Sequence, residues 1–275
     1  MWYYFKTVIL LMFLTFFLVY LGKSLAGEIG MIIALIIGIS ANFISYFFSD
    51  KIVLSMYGAK EIKEEDFPEL YNMVKYLAQR ASLPMPKVYI IDEDQPNAFA
   101  TGRDPKHAAV AFTRGIINLL SLEELMGVAA HELAHIKNRD ILISTVAASI
   151  ASAITIIIDM LRWTLIFATS RDNSRNILVD LLMIIVAPII ALLIQLAISR
   201  TREYLADKVG AQIVGNPIYL ANALEKLDYY SKMIPMNRYS PATSHMFIVN
   251  PENFLVLFST HPPIKERIKR LRQMI

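Results

Sequence analysis

The chain has 275 residues, 55% hydrophobic and 19% charged, with a mean hydropathy of +0.45 and a formal net charge of +3. It is too apolar for a soluble domain of this length and too weakly charged for a nucleic-acid binder, and no basic–aromatic stripe alters that. It has no cysteine, which fits either redox compartment.

Four apolar segments account for the hydropathy. Residues 2–21 form the first, with Lys6 near its start, where the amine can snorkel to an interface. Residues 29–48 follow almost at once, and no A-x-A-like cleavage site precedes them, so the first segment is expected to stay as an anchor rather than leave as a signal peptide. The third starts near Ile141 and continues past Asp159 and Arg162 to Phe167; the fourth covers residues 177–198 and includes Asp180 and Pro188. Each reaches the roughly 20 residues that a bilayer core of about 30 Å requires. Four spans place Lys51, Lys60, Lys63, Lys137, Arg139, Arg200, Arg202 and Lys208 on one side, against Lys23, Arg171 and Arg175 on the other. That bias puts both termini and the polar blocks in the cytoplasm and makes the chain a multi-pass plasma-membrane protein. The expected organisation is a membrane hairpin over 1–48, a second over 141–198, and a cytoplasmic domain assembled from 49–140 and 199–275.

In the first polar block, Phe67-Pro-Glu-Leu-Tyr71 opens a helical pattern that runs to about Ala81, with Leu70, Met73, Val74 and Leu77 on its apolar face. Pro84 and Pro86 end it. Lys87-Val-Tyr-Ile-Ile91 is β-branched and aromatic, hence a strand. Asn97-Ala-Phe-Ala-Thr-Gly102 and Ala108-Ala-Val-Ala-Phe112 are placed to pair as a hairpin across Arg103-Asp-Pro-Lys-His107. Ser121-Leu-Glu-Glu124 then reads as a capping box that starts a helix over 122–138.

That helix carries His131-Glu-Leu-Ala-His135, an H-E-x-x-H sequence. A four-residue step puts both imidazoles on one face, one turn apart, where they can share a Zn²⁺, with Glu132 close enough to take a proton from water at the metal. The bland alternative is an amphipathic helix with two surface histidines. Catalytic zinc normally takes three protein ligands. The metzincin third ligand would need Gly at 138 and His at 141, but the chain has Asn138 and Ile141.

A carboxylate on a later helix is the other common solution, and Glu203 in Ser199-Arg-Thr-Arg-Glu-Tyr-Leu-Ala-Asp207 is the candidate. Two intervening spans would return it to the same membrane face as His135. The alternative for Glu203 is a solvated carboxylate paired with Arg200 or Arg202. Either Asp207 or Asp140 is placed to accept the free N–H of a ligand histidine. The second polar block is mainly helical to about Ser231, passes through a Pro/Asn/Ser-rich loop over 235–251, and ends in a basic amphipathic helix after Pro262-Pro263, with Ile264, Ile268 and Leu271 on its apolar face.

His131-Glu-Leu-Ala-His135 with Asp140, followed by Ser199 to Asp207, resembles the paired signature of the HtpX family of membrane zinc metallopeptidases. Asn97-Ala-Phe-Ala-Thr-Gly102, Phe258-Ser-Thr-His-Pro-Pro263 and the four apolar segments resemble the family as well, so the likeness spans nearly the whole chain. It implies a predominantly helical α+β, gluzincin-like protease domain on four transmembrane helices, with one Zn²⁺ per chain. It also implies an endopeptidase of the cytoplasmic membrane face that acts on misfolded or damaged membrane proteins or on unfolded polypeptides. By that likeness His131, His135 and Glu203 are the zinc ligands and Glu132 the general base. The CAAX prenyl proteases share the zinc motif on a longer chain with more spans, so their substrate preference does not carry over.

Other residues admit two roles each. Asn97, Ala98, Phe99 and Ala100 form either an edge strand that takes substrate backbone, with the Asn97 amide orienting it, or a plain hairpin. His261 either donates to a developing oxyanion or only leads into the last helix. His107 and His245 are expected at the surface or in the core, and Asp159 and Arg162 as a mutual pair or at the membrane interface, with a proton or ion path as the functional alternative. The rival class is a non-enzymatic scaffold or transporter with a structural metal, which would normally close its site with four ligands, often cysteines. The oligomeric state is not legible in the sequence.

Overall fold

The computed structural model describes residues 2–151, 200–230, 233, 234, 236, 243, 246–248 and 262–274. His261, His245, Asp159, Arg162, most of the third apolar segment and all of the fourth lie outside the described residues.

The chain opens with α1, Trp2–Met56. A straight helix would hold Leu11 and Asn42 about 46 Å apart, yet Asn42 Nδ2 donates to the Leu11 carbonyl at 3.2 Å and to Thr15 Oγ1 at 2.8 Å. The helix therefore folds back as a hairpin, and the reversal is at Gly27, whose φ of +61° only glycine adopts without strain. Both arms, Thr7–Ser24 and Gly27–Met56, are long and apolar enough to cross a membrane. Only 18% and 11% of their apolar windows are buried in the protein, so neither is a soluble core helix. Phe16, Ile29 and Ile36 instead present their side chains outward, as a lipid-facing surface does.

A four-stranded sheet follows, in the order β1-β2-β4-β3: β1 Lys60–Ile62, β2 Lys87–Ile91, β3 Ala98–Gly102 and β4 Ala108–Thr113. The expected hairpin forms, antiparallel with Ala98 opposite Phe112, and β2 joins β4 in parallel. Its turn is a short 3-10 segment, Pro105–His107, held by the Asp104 carboxylate accepting the N–H groups of Lys106 and His107. One face of the sheet lies in a common apolar core with α2, Pro68–Ala81, whose Leu70, Val74 and Leu77 are buried there. The other carries Phe99 against Tyr57 and Phe247 in tilted and edge-on ring contacts.

Among the remaining helices are α3 (Arg114–Leu119), α4 (Leu122–Asn138), α5 (Ile141–Ala151), α6 (Arg200–Val214), α7 (Pro217–Tyr230) and α8 (Ile264–Arg272). Helix α4 is the centre of the domain and packs against α2, α6 and α7. It begins as the sequence predicts: Ser121 Oγ accepts the Glu124 N–H, and Glu124 reaches back to the Ser121 N–H at 2.9 Å.

Candidate active site

His131, Glu132 and His135 lie on the buried face of α4, and Glu203 and Asp207 lie one turn apart on α6. Gly210, a further turn along the same face of α6, brings the two helices together. A Cβ there would come within 3.0 Å of the His131 backbone, so a side chain would hold α6 off.

The close approach gathers three ligand atoms. His131 Nε2 and His135 Nε2 are 3.2 Å apart, and the Glu203 carboxylate lies 3.7 Å from the first and 3.6 Å from the second. Two zinc bonds of 2.0–2.1 Å at the tetrahedral angle hold their donors about 3.4 Å apart. The spacing of this triangle fits such an ion, and His131, His135 and Glu203 are a group that could hold a metal.

Each histidine has its other nitrogen committed to a carboxylate. His131 Nδ1 is 3.0 Å from Asp207 Oδ1, and His135 Nδ1 is 3.1 Å from Asp140 Oδ1. A carboxylate only accepts, so each Nδ1 carries a proton, which leaves each Nε2 as the atom that can offer a lone pair to a metal. Two Nε2 atoms 3.2 Å apart call for a proton or a metal ion between them. The sequence left open which aspartate serves which histidine, and the structure assigns them separately. Asp140 reaches His135 because α4 ends at Arg139 in the left-handed region (φ +58°), which turns the chain back so that the Asp140 N–H meets the His135 carbonyl.

The electrostatics follow from burial and these partners. Burial pushes Glu132 up to about 8; Glu203 adds to the rise, while His135 and the Ala100 backbone N–H oppose it. Burial holds His131 below the ordinary histidine range, and the Arg267 guanidinium lowers it further. Burial also pulls on His135, but Asp140, Glu203 and Glu132 outweigh it and lift the group to about 10. Asp207 sits well below the usual carboxylate range, because Arg267 and His131 overcome the upward push of burial.

Arg267, absent from the expected site, is fully buried beside it. Its Nε and Nη2 donate to Asp207 Oδ2 and Oδ1 at 2.9 and 2.7 Å, and its Nη1 lies 3.8 Å from Glu203. A helical wheel of the last helix already places 264, 267, 268 and 271 on one face, which is the signal that could have found it.

A cleft opens over these groups, walled by Ala100 of β3, by Ile141 and Ser144 of α5, and by Met246, Phe247 and Ile248. Among the described residues β3 is an edge strand, with the Asn97, Phe99 and Thr101 backbone groups turned to β4 and those of Ala98, Ala100 and Gly102 turned outward. Ile248 N–H binds the Ala98 carbonyl at 3.1 Å, Glu132 accepts the Ala100 N–H, and Thr145 Oγ1 accepts the Gly102 N–H at 3.2 Å. Asn97 is fully buried, with Oδ1 accepting the Ala98 N–H at 3.1 Å. His107 is exposed, on the Asp104 carboxylate.

Residues 64–275 match peptidase family M48. A "Protease HtpX homolog" of Thermodesulfovibrio yellowstonii is 58% identical over 275 residues, covering 98% of this chain and 97% of that one. A protein of the same name from Desulfatibacillum aliphaticivorans is 55% identical, covering 97% and 88%, and one from Pyrococcus furiosus is 51% identical, covering 98% and 95%. The crystal structure of S. mikatae Ste24p superposes with a TM-score of 0.52 at 18% identity over 95% of this chain, which spans 62% of that longer one, and so supports the fold. On the family match and the full-length identity, the chain belongs to peptidase family M48 and is a membrane metalloprotease of the HtpX type.

Proposed function

We propose that the protein is a zinc-dependent endopeptidase, anchored by its membrane spans, that cleaves misfolded or damaged membrane proteins at the cytoplasmic face. The observation that carries the site assignment is the approach of His131 Nε2 and His135 Nε2 to 3.2 Å, with the Glu203 carboxylate 3.7 and 3.6 Å from them. A Zn²⁺ held by these three residues would supply Lewis-acid polarisation of the scissile carbonyl and lower the pKa of water to about 7.

The chain's own groups do the rest. Glu132 lies on the floor of the same cleft, where it can take the proton of the attacking water and return it to the leaving amine nitrogen. In the metal-free protein it is held up at about 8; a dication in the adjacent triangle favours its carboxylate, the form a base requires. Asp207 and Asp140 keep both histidines in the ligand tautomer. The outward edge of β3 at Ala98 and Ala100 is where substrate backbone would add as a strand, in place of the contacts from Ile248 and Glu132 that occupy it in the free protein, with Phe99 behind it and Asn97 fixing the strand's start. Residues 246–248, which lie along that edge at Ala98, give way to substrate. His261 is proposed to donate to the oxyanion. Apolar α5, which walls the cleft and binds Gly102 through Thr145, sets the site against the membrane. The Lys/Arg bias supports a cytoplasmic active site on a four-span anchor, with the protease domain assembled from 49–140 and 199–275.

Zinc content and casein cleavage, measured together on wild type and Glu132→Gln, test this. The variant should retain one zinc per chain and lose at least about 10²-fold in activity, the scale of a positioned general base. A folded, zinc-loaded Glu132→Gln protein with substantial activity would rule the role out.

A further inference from the structure

Arg267 stands on the C-terminal helix, and Asp207 on α6, 60 residues away in sequence. The guanidinium is 0% exposed, and burying it without an anionic partner would cost several kcal/mol. Its partner is Asp207, gripped by two near-parallel bonds of 2.9 and 2.7 Å, the fork geometry that guanidinium makes with carboxylate. Asp207 Oδ1 is shared: it accepts Arg267 Nη2 at 2.7 Å and faces His131 Nδ1 at 3.0 Å. Nη1 reaches toward Glu203 at 3.8 Å and donates to the Ile248 carbonyl at 3.4 Å.

The two histidine–aspartate pairs are not equivalent. Asp140 is fixed to His135 by its own chain, through the left-handed turn at Arg139. Asp207 comes to His131 from a different helix, and without a further restraint its side chain could rotate away. It also shares one face of α6 with Glu203, a like charge one turn away, which destabilises both unless a cation intervenes. Arg267 supplies both the restraint and the charge.

We propose that Arg267 is a positioning residue of the metal centre, which locks Asp207 and through it the tautomer and ring orientation of His131, so that the C-terminal helix completes a site whose ligands lie on α4 and α6. The inference rests on the assignment of His131, His135 and Glu203 as the metal ligands.

The test uses the full-length protein in detergent. Zinc affinity is measured by chelator competition, and the visible spectrum is recorded after loading with Co²⁺. Loss of tight zinc binding in Glu203→Ala tests the ligand assignment by itself; the Arg267 and Asp207 variants then test Arg267. Arg267→Lys keeps the buried charge and loses the fork. It should fold, bind zinc about 10–100-fold more weakly and shift the cobalt bands, as should Asp207→Asn, which cuts the same link from the other end. Joined with Asp207→Asn, it should weaken zinc no more than the worse single change, because both act through one hydrogen-bonded pair. A role confined to docking α8 would lower the Tm of Arg267→Lys and leave zinc affinity and the cobalt spectrum at wild-type values. That result overturns the proposal, and so does additive weakening in the double variant.

Discussion

The Glu132 carboxylate accepts a hydrogen bond from the backbone N–H of Ala100, which ties the motif helix to the edge strand across the floor of the cleft. The proposed base and the strand proposed to receive substrate are thereby fixed to each other, and a shift of β3 moves Glu132 with it. The bond also satisfies an N–H that the sheet edge would otherwise turn toward substrate.

Burial of Glu132 has a measurable consequence in the metal-free protein. Its value rises from 4.5 to about 8 on folding, so between those pH values the native state binds more protons than the unfolded chain. Unfolding free energy then falls as pH rises, by at most about 1.4 kcal/mol per pH unit from this group. His135, raised from 6.5 to about 10, acts with the same sign above its unfolded value. His131, held below its unfolded value, acts with the opposite sign up to about pH 6.5, so metal-stripped protein should lose Tm mainly from about pH 6.5 to about pH 8, and Glu132→Gln should lose it less steeply from about pH 5 to about pH 8. Parallel Tm curves for the two proteins across that range would show that the buried Glu132 carboxyl is not the group responsible.

The two kinds of carboxylate around the triangle should separate by magnitude. Glu203→Ala removes one of three donor atoms and should abolish tight zinc binding. Asp140→Asn leaves the donors in place and weakens the orientation of His135, at a cost of about 10–100-fold in affinity. If Glu203→Ala still held one tightly bound zinc per chain, another group would be the third ligand.

Gly210→Ala probes the helix contact that builds the site. The added Cβ meets His131 backbone atoms at 3.0 Å, and backbone cannot swing aside as a flexible side chain would. Overpacking of this kind costs about 1–3 kcal/mol. The variant should show a lower Tm and, because α6 carries Glu203 and Asp207, weaker zinc binding. Unchanged zinc affinity together with a lower Tm would mean that the ligands adjust independently of the helix spacing.

How far the sequence reveals this molecule depends on how local each signal is. Ser121 and Glu124 sit three residues apart and mark the start of α4 correctly, and the strand alternation with a Pro-containing turn marks the β3–β4 hairpin. β1 has no local signal: Lys60-Glu-Ile62 is too short and too charged to show a period, and it pairs along the edge that β2 offers. Asp140 and Asp207 were recognised as candidate partners, but the assignment of each to its histidine depends on a left-handed turn at Arg139 and on the spacing allowed by Gly210. Arg267 is hidden in the sequence for a related reason. On a helix read by its apolar residues an arginine looks like a solvated charge, and the carboxylate that draws it inside is remote in sequence.

Membrane topology is the last prediction, because it decides which compartment the cleft faces. Ser24 ends the first span and Glu65 lies in the first polar block, and both are exposed. The Lys/Arg bias assigns Glu65 to the cytoplasm and Ser24, with Ser170 between the third and fourth apolar segments, to the exterior. Since the chain has no cysteine, single Ser24→Cys, Glu65→Cys and Ser170→Cys variants give unambiguous reporters. A membrane-impermeant thiol reagent on intact cells should label positions 24 and 170 and spare 65, which should react only after permeabilisation. Labelling at 24 without 170, when 170 reacts in permeabilised cells, would reduce the anchor to the N-terminal hairpin and leave the zinc site intact. Labelling at 65 alone would invert the protein and overturn the cytoplasmic assignment.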